Sequence, residues 1–301
     1  MENKILQQTE NDGSIKGVLS EKNLEYVYDE GKKVKAIKGV LVVSTPEHDY
    51  EIQVYTSANK ADGNPNPMFK GTETIMNTYV DKANETEEKT ADVLMCSVSL
   101  RENNYVGKNG KINSSTRINL NKATRKSYTE DEMEAKIRLE GIILNSTEEM
   151  SEGEDPEPTG RLKVQLGVIG YKGDIMIFDL FVPEDIASDF ETYYEIGNTT
   201  TFNVKIVTKF VGKKKTIKKA VFGHTEETVA DTSRGYDKAE FEIFSGDEPY
   251  EDEFGLDADL IKEAMKEREA KLQQLLDDSK KGKSTLKERA KAGEKKENPF
   301  L

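Results

Sequence analysis

Two runs of cations stand out in a chain whose net charge is −13. Residues 101–126 hold Arg101, Lys108, Lys111, Arg117, Lys122, Arg125 and Lys126 against the single acid Glu102. Residues 205–219 hold Lys205, Lys209, Lys213, Lys214, Lys215, Lys218 and Lys219 and no acid. Tyr105 sits inside the first run and Phe210 inside the second. Three further rings have a basic or polar setting. Tyr55 lies on the polar side of an alternating segment, Phe69 precedes Lys70, and Tyr171 precedes Lys172. Cations neutralise phosphates, and aromatic rings stack on bases at about 1–3 kcal/mol each. Interleaved, they suit a single-stranded polyanion. The competing reading is that lysines on exposed hairpins block edge-to-edge strand pairing, and that exposed rings shield a barrel end.

Other chemistry is poorly supplied. There is no GxxxxGK[ST] and no GxGxxG, and His48 and His224 are the only histidines. No Cys or His cluster has zinc spacing. The acidic pairs Glu148-Glu149 and Asp247-Glu248 lack a turn glycine or strand context and read as solvated loops. We expect no enzyme, no cofactor, no metal and no small-molecule substrate. The lone Cys96 excludes an internal disulfide, which fits a reducing cytosol. It falls on the apolar side of its segment and reads as core. The N-terminus has no basic start followed by an apolar run. No stretch approaches the roughly 18 apolar residues of a membrane helix. The expected location is cytoplasmic, with no membrane partner. The acidic balance argues against a protein that coats duplex DNA. Hydrophobic content is 35% and charged content 34%, so cores are modest and some segments polar.

The elements that must carry these residues are mostly strands. Residues 93–100 alternate with period two, Asn103-Asn104 and Lys108-Asn109-Gly110 are turn chemistry, and 114–120 make a return strand. The first cation run is therefore a long β-hairpin. Residues 200–208 alternate likewise and lead into KFVGKKKTIKKAVFG, a second basic hairpin. Upstream of the first, short strands are expected at 15–19 and 24–28, split by Ser20-Glu21-Lys22, and longer ones at 34–44 and 50–56. Gly39 lies inside a strand, which marks a bulge or a tight bend. Residues 57–71 read as loop because of Asn64-Pro65-Asn66-Pro67. A helix follows at 72–80, with Thr72 or Thr74 as cap, and 81–90 is a solvated connector.

The second half repeats the order. Residues 135–145 carry Gly141 as 34–44 carry Gly39, an acidic loop covers 146–159, and strands follow at 161–171 and 174–182. A helix after Pro183 places Ile186, Phe190 and Tyr194 on one stripe and ends near Gly197. The second hairpin and a strand at 239–244 complete it. Three strands, a helix and two strands is the order of the OB-fold, a small Greek-key barrel. The expected fold is mainly β: two tandem OB-like five-stranded barrels, each with a short helix. Boundaries fall at 1–12 for a flexible N-terminus, 13–130, 131–245, and 246–301 for an acidic segment, an amphipathic helix at 258–276 and a disordered charged tail.

The strand, basic Gly-containing hairpin and strand of 93–120 resemble the corresponding hairpin of bacterial and phage single-stranded DNA-binding proteins. The acidic segment and the terminal Asn298-Pro299-Phe300 are similar to the tails of that family, which recruit replication and repair partners. The chain departs from it where Leu301 follows the Phe, where Lys295-Lys296 precede the end, and in having no Trp. Tandem barrels look most like a bacteriophage replication protein. The resemblance implies a protein in the bacterial host cytoplasm that coats and protects single-stranded DNA during replication or recombination. Pro299 and Phe300 would then bind replication proteins. Two other classes compete: a virion or tail structural protein built of β-domains, and an adaptor acting through the 258–276 helix.

Overall fold

Period-two burial builds the first ring of strands. The computed structural model describes residues 6–151, 156–211, 214–221, 224–231, 236–251 and 254–293, with side chains at 6–151, 156–207, 239–251 and 254–280. The strands are β1 (Asn11–Tyr28), β2 (Val34–Ser44), β3 (Asp49–Ser57), β4 (Val93–Val106) and β5 (Ile112–Arg125), with α1 (Pro67–Thr78) between the third and fourth. They close as β1–β2–β3–β5–β4–β1, with β3 parallel to β5 and the other neighbours antiparallel. Leu41, Ile52, Val54, Leu100 and Ile118 alternate into the core.

β1 is one 18-residue strand where two were expected. Its register shifts between Leu19 and Glu21, so Ser20 forms a bulge, and Glu21 and Lys22 continue the strand where a break was expected. Lys22 secures it by donating from Nζ to the carbonyls of Met76 (2.9 Å) and Tyr79 (2.6 Å), at the C-terminal end of α1 where a cation is favoured. Gly39 marks a close approach instead of a bulge. Its φ is +147°, and a Cβ there would lie 1.9 Å from the Asn23 carbonyl oxygen.

The second ring comprises β6 (Ala135–Met150), β7 (Pro158–Ile169), β8 (Ile175–Val182), α2 (Glu184–Tyr193) and β9 (Thr199–Val211). After these come β10 (Lys214–Val221), β11 (His224–Asp231) and β12 (Tyr236–Gly246). It closes as β6–β7–β8–β12–β9–β6, again with the third and fifth strands parallel. Both rings are thus OB-like. The strands β6 and β7 extend into the acidic stretch expected as loop, leaving 151–157 between them. α2 ends at Tyr193, and Gly197 lies beyond it, donating to the Ile143 carbonyl at 2.8 Å.

The second basic hairpin needs correction. β9 pairs with β6 and β12, not with the lysine-rich strand, and β10 pairs with β11 in a separate two-stranded sheet. The register sets Lys214 opposite Asp231, Lys218 opposite Glu227 and Lys219 opposite Glu226. An acidic strand therefore runs beside the basic one.

The rings meet at a hydrogen-bonded seam. Residues Asn11 to Ile15 of β1 pair antiparallel with Leu139 to Ala135 of β6, so ten strands form one continuous sheet. The seam is flanked by Lys16–Glu134 (2.9 Å) and Arg138–Glu10 (2.9 Å).

Two helix boundaries differ from expectation. α1 begins at Pro67, five residues early, because Asn66 caps it through Met68 N (3.1 Å) and proline is accepted at the first helical position. The C-terminal helix α3 (Ala258–Gly293) runs past 276. Its second half is polar, but ten of the seventeen residues at 277–293 are Lys, Glu, Ala, Leu or Arg, which are strong helix formers. Ile261 and Ala264 bury against Ile142, Ile169 and Ile175 of the second ring. Among the described residues, no helix is long and apolar enough to cross a membrane.

Candidate nucleic-acid interface

The outward faces of β2, β3, β5 and β4 form a groove of about 450 Å³ on the first ring. Lys38, Gln53, Tyr55, Arg101, Asn103 and Arg117 line it. Strand register explains the grouping. Lys38 lies opposite Tyr55 across β2–β3, Gln53 beside Asn119 across β3–β5, and Arg101 opposite Arg117 across β4–β5. Each of these side chains takes the outward parity because its neighbours fill the core.

Arg101 and Arg117 are the unusual pair. Like charges directly opposite on adjacent strands are destabilising. Neither has an ion-pair partner among the described residues; Arg101 reaches only the Met176 sulfur of β8, at 3.9 Å. Lys38 has one carboxylate, Glu25, at 3.1 Å, with both side chains exposed. Tyr55 is 63% exposed at one end of this stripe. Tyr105, 48% exposed, lies four residues beyond Arg101 on the same parity, about 13 Å along β4. A track of ring, cations and ring therefore runs from the barrel onto the arm.

A larger opening of about 820 Å³ adjoins it, lined by Glu21, Glu47, Asp49 and Glu51 as well as Arg117, with Ile206 and Phe241 from the second ring. Its carboxylates repel a polyanion and bound the groove on that side. No group of three or more potential metal ligands exists among the described residues.

The remaining sequence-predicted positions scatter. Lys108 and Lys111 are exposed at the arm tip, where Gly110 has φ +77°. Lys122 and Lys126 are exposed at the opposite end of β5, with Lys126 roughly 50 Å from Lys111 by strand rise. Arg125 is engaged locally: it bonds Asp92 at 2.7 Å, donates to the Thr78 carbonyl and stacks 4.3 Å from the Tyr79 ring centre. Phe69 and Lys70 lie in the first turn of α1, the ring half-buried and the lysine exposed. Tyr171, 83% exposed, and Lys172 occupy the β7–β8 turn. Lys205 is bound to Glu242 at 2.7 Å. Lys209 and Phe210 fall on β9, and Lys214, Lys215, Lys218 and Lys219 on β10, with side chains outside the described residues. Lys213, Pro299 and Phe300 lie outside the described residues altogether.

Sequence reasoning missed Lys38, Gln53, Asn103 and Asn119. For Lys38, Gln53 and Asn119 the signal was present as polar parity within alternating strands, but parity gives a face and not a neighbour. Asn103 was obscured because Asn103-Asn104, expected as turn, lie inside β4 opposite Ser115 and Ser114.

The matching face of the second ring is arranged differently. Lys163 bonds Asp179 at 2.8 Å, and Gln165 bonds the same carboxylate at 3.1 Å. Arg161 reaches Glu149 (3.1 Å), Glu240 (3.1 Å) and Glu242 (3.7 Å) and lies 4.7 Å from the Phe181 ring centre.

The model of the YorF family matches residues 10–279. No curated protein sequence matches the chain. Among solved structures, the chain is similar to the wild-type single-stranded DNA binding protein from Thermus aquaticus, with 8% identity and a TM-score of 0.46 over 81% of this chain and 95% of that one. It is also similar to a deletion mutant of that protein, with 10% identity and a TM-score of 0.47 over 81% and 97%.

Proposed function

The chain belongs to the YorF family, and we propose that it is a non-enzymatic protein that binds single-stranded DNA through the first-ring groove. The observation that carries this reading is the unrelieved Arg101–Arg117 pair between two exposed tyrosines. A phosphate between the two guanidinium groups removes their repulsion, and bases on either side stack on Tyr55 and Tyr105. The polar Gln53, Asn103 and Asn119 offer hydrogen bonds to either. The exposed lysines of the arm tip extend the path.

On this reading residues 13–130 and 131–245 act as two barrel domains, and the protein coats and protects DNA strands during replication or recombination in the cytoplasm of a bacterial host. Replication proteins are its partners through the C-terminal segment. The resemblance of the 93–120 hairpin to phage single-stranded DNA-binding proteins supports a phage role.

The test is a titration of fluorescent oligo-dT at several salt concentrations. Log affinity falls linearly with log salt for a phosphate-binding groove. Duplex DNA of equal length competes poorly. Affinity that ignores salt, or a duplex that competes as well as oligo-dT, rejects the reading.

A further inference from the structure

The two rings share a strand order, so their outward faces can be compared strand by strand: β2 with β7, β3 with β8, β5 with β12 and β4 with β9. Each places a lysine opposite an aromatic ring on its second and third strands, Lys38 with Tyr55 and Lys163 with Phe181. The surroundings differ. Tyr55 is 63% exposed, whereas Phe181 is buried and lies beneath the Arg161 guanidinium.

Charge follows the same division. In the first ring Arg101 and Arg117 meet no carboxylate among the described residues, and Lys38 meets one exposed glutamate. In the second, Arg161, Lys163 and Lys205 are held by Glu149, Glu240, Glu242 and Asp179, four acids on three cations. Glu240 is buried and Glu149, Glu242 and Arg161 are nearly so. A phosphate approaching this face must displace a carboxylate from its cation; at the poorly solvated Arg161, removing one partner leaves a buried charge uncompensated. Phe181, which stands where Tyr55 stands in the first ring, is closed to a base.

We propose that the two rings divide their labour. The strand of DNA follows the first-ring groove, and the matching face of the second ring is a closed ion-pair face that holds its own barrel together and binds nothing. This rests on the single-stranded DNA reading above and narrows it to one ring.

Two double variants with equal change in net charge test it: Lys38→Gln with Arg117→Gln, and Lys163→Gln with Lys205→Gln, each titrated with fluorescent oligo-dT across a salt series. The first should lose at least tenfold in affinity, and its log–log salt slope should shrink by about 1.4, from two phosphate contacts at about 0.7 each. The second should stay within twofold of the unmodified protein. Equal losses, or a greater loss in the second, overturn the division while leaving DNA binding intact. No binding by the unmodified protein at low salt overturns both. Because Lys163 and Lys205 have structural partners, Tyr55→Ala provides a check independent of their folding. Its side chain is largely exposed, and it should cost fivefold or more; unchanged affinity overturns the groove assignment.

Discussion

Arg268 on α3 donates from Nε and Nη2 to both carboxylate oxygens of Glu102 on β4, across 166 residues of chain. Glu102 is the one acid of the first arm, and it also accepts from Ser114 Oγ at 3.0 Å. The helix thereby occupies the only carboxylate that could neutralise Arg101 or Arg117 from within the arm. It also ties that arm to the second ring, where Ile261 and Ala264 are buried. Arg268→Met should cost about 1.5–3 kcal/mol, the range for hydrogen bonds to charged groups. The melting temperature should fall, and limited trypsin digestion should cut α3 first. Unchanged melting and unchanged cleavage would show that α3 is held by its apolar face alone.

Arg117→Glu should separate stability from binding. It converts a like-charge cross-strand pair into an opposite-charge one, worth about 0.2–1 kcal/mol in favour of the fold. Affinity for oligo-dT should fall at least tenfold in the same protein. A variant that loses stability and binding together would mean that Arg117 has a structural partner instead.

Gly39→Ala should be among the most damaging single changes. The backbone at φ +147° is closed to a side chain, and the added Cβ would meet the Asn23 carbonyl oxygen on β1. We expect a loss above about 2 kcal/mol and largely insoluble protein. Gly110→Ala, at φ +77° in the arm tip with nothing within 4 Å, should cost only about 1 kcal/mol, as left-handed strain without a clash. Chemical denaturation of the two variants checks the order.

The seam should weaken at both ends of the pH scale. Lys136 and Lys16 hold the Glu134 carboxyl below its ordinary value. Its contribution is therefore complete above the ordinary carboxylate range and lost as pH falls through the lowered folded value. Lys16 is raised by its hydrogen bond to Glu134, so its share is complete below the ordinary lysine range and lost as pH rises through the raised value. Both side chains are partly exposed, so the pair contributes under about 1 kcal/mol. Glu134→Gln should melt below the parent protein at pH 7 and converge with it below about pH 4. A difference that persists at low pH would assign the effect to packing.

Local signals were legible in the sequence, and pairings were not. Strand parity placed Cys96 in the core, and it is fully buried, with burial pushing the thiol up to about 12. Gly141 was legible as a strand-interior glycine, and its absent side chain lets the Gly167 carbonyl of β7 come close. Tyr55, Arg101, Arg117 and Tyr105 were each legible as outward residues. That they form one track depends on β3 lying beside β5, a contact across more than sixty residues that no local pattern encodes. The partner of β9 was misread for the same reason: alternation gives a strand its face, and tertiary closure gives it its neighbours. The early start of α1 was obscured by Pro67, which breaks a helix interior but fits its first turn.

β1 has three neighbours along its length: β6 from Asn11 to Ile15, β4 from Gly13 to Val18 and β2 from Val18 to Tyr28. Neither ring owns it outright. A gene truncated between the rings would yield two fragments, each with a bare row of amide and carbonyl groups where the other had been. Such fragments are better suited to self-association than to independent life. Any shortened version of this protein intended for crystallisation or labelling should keep both halves.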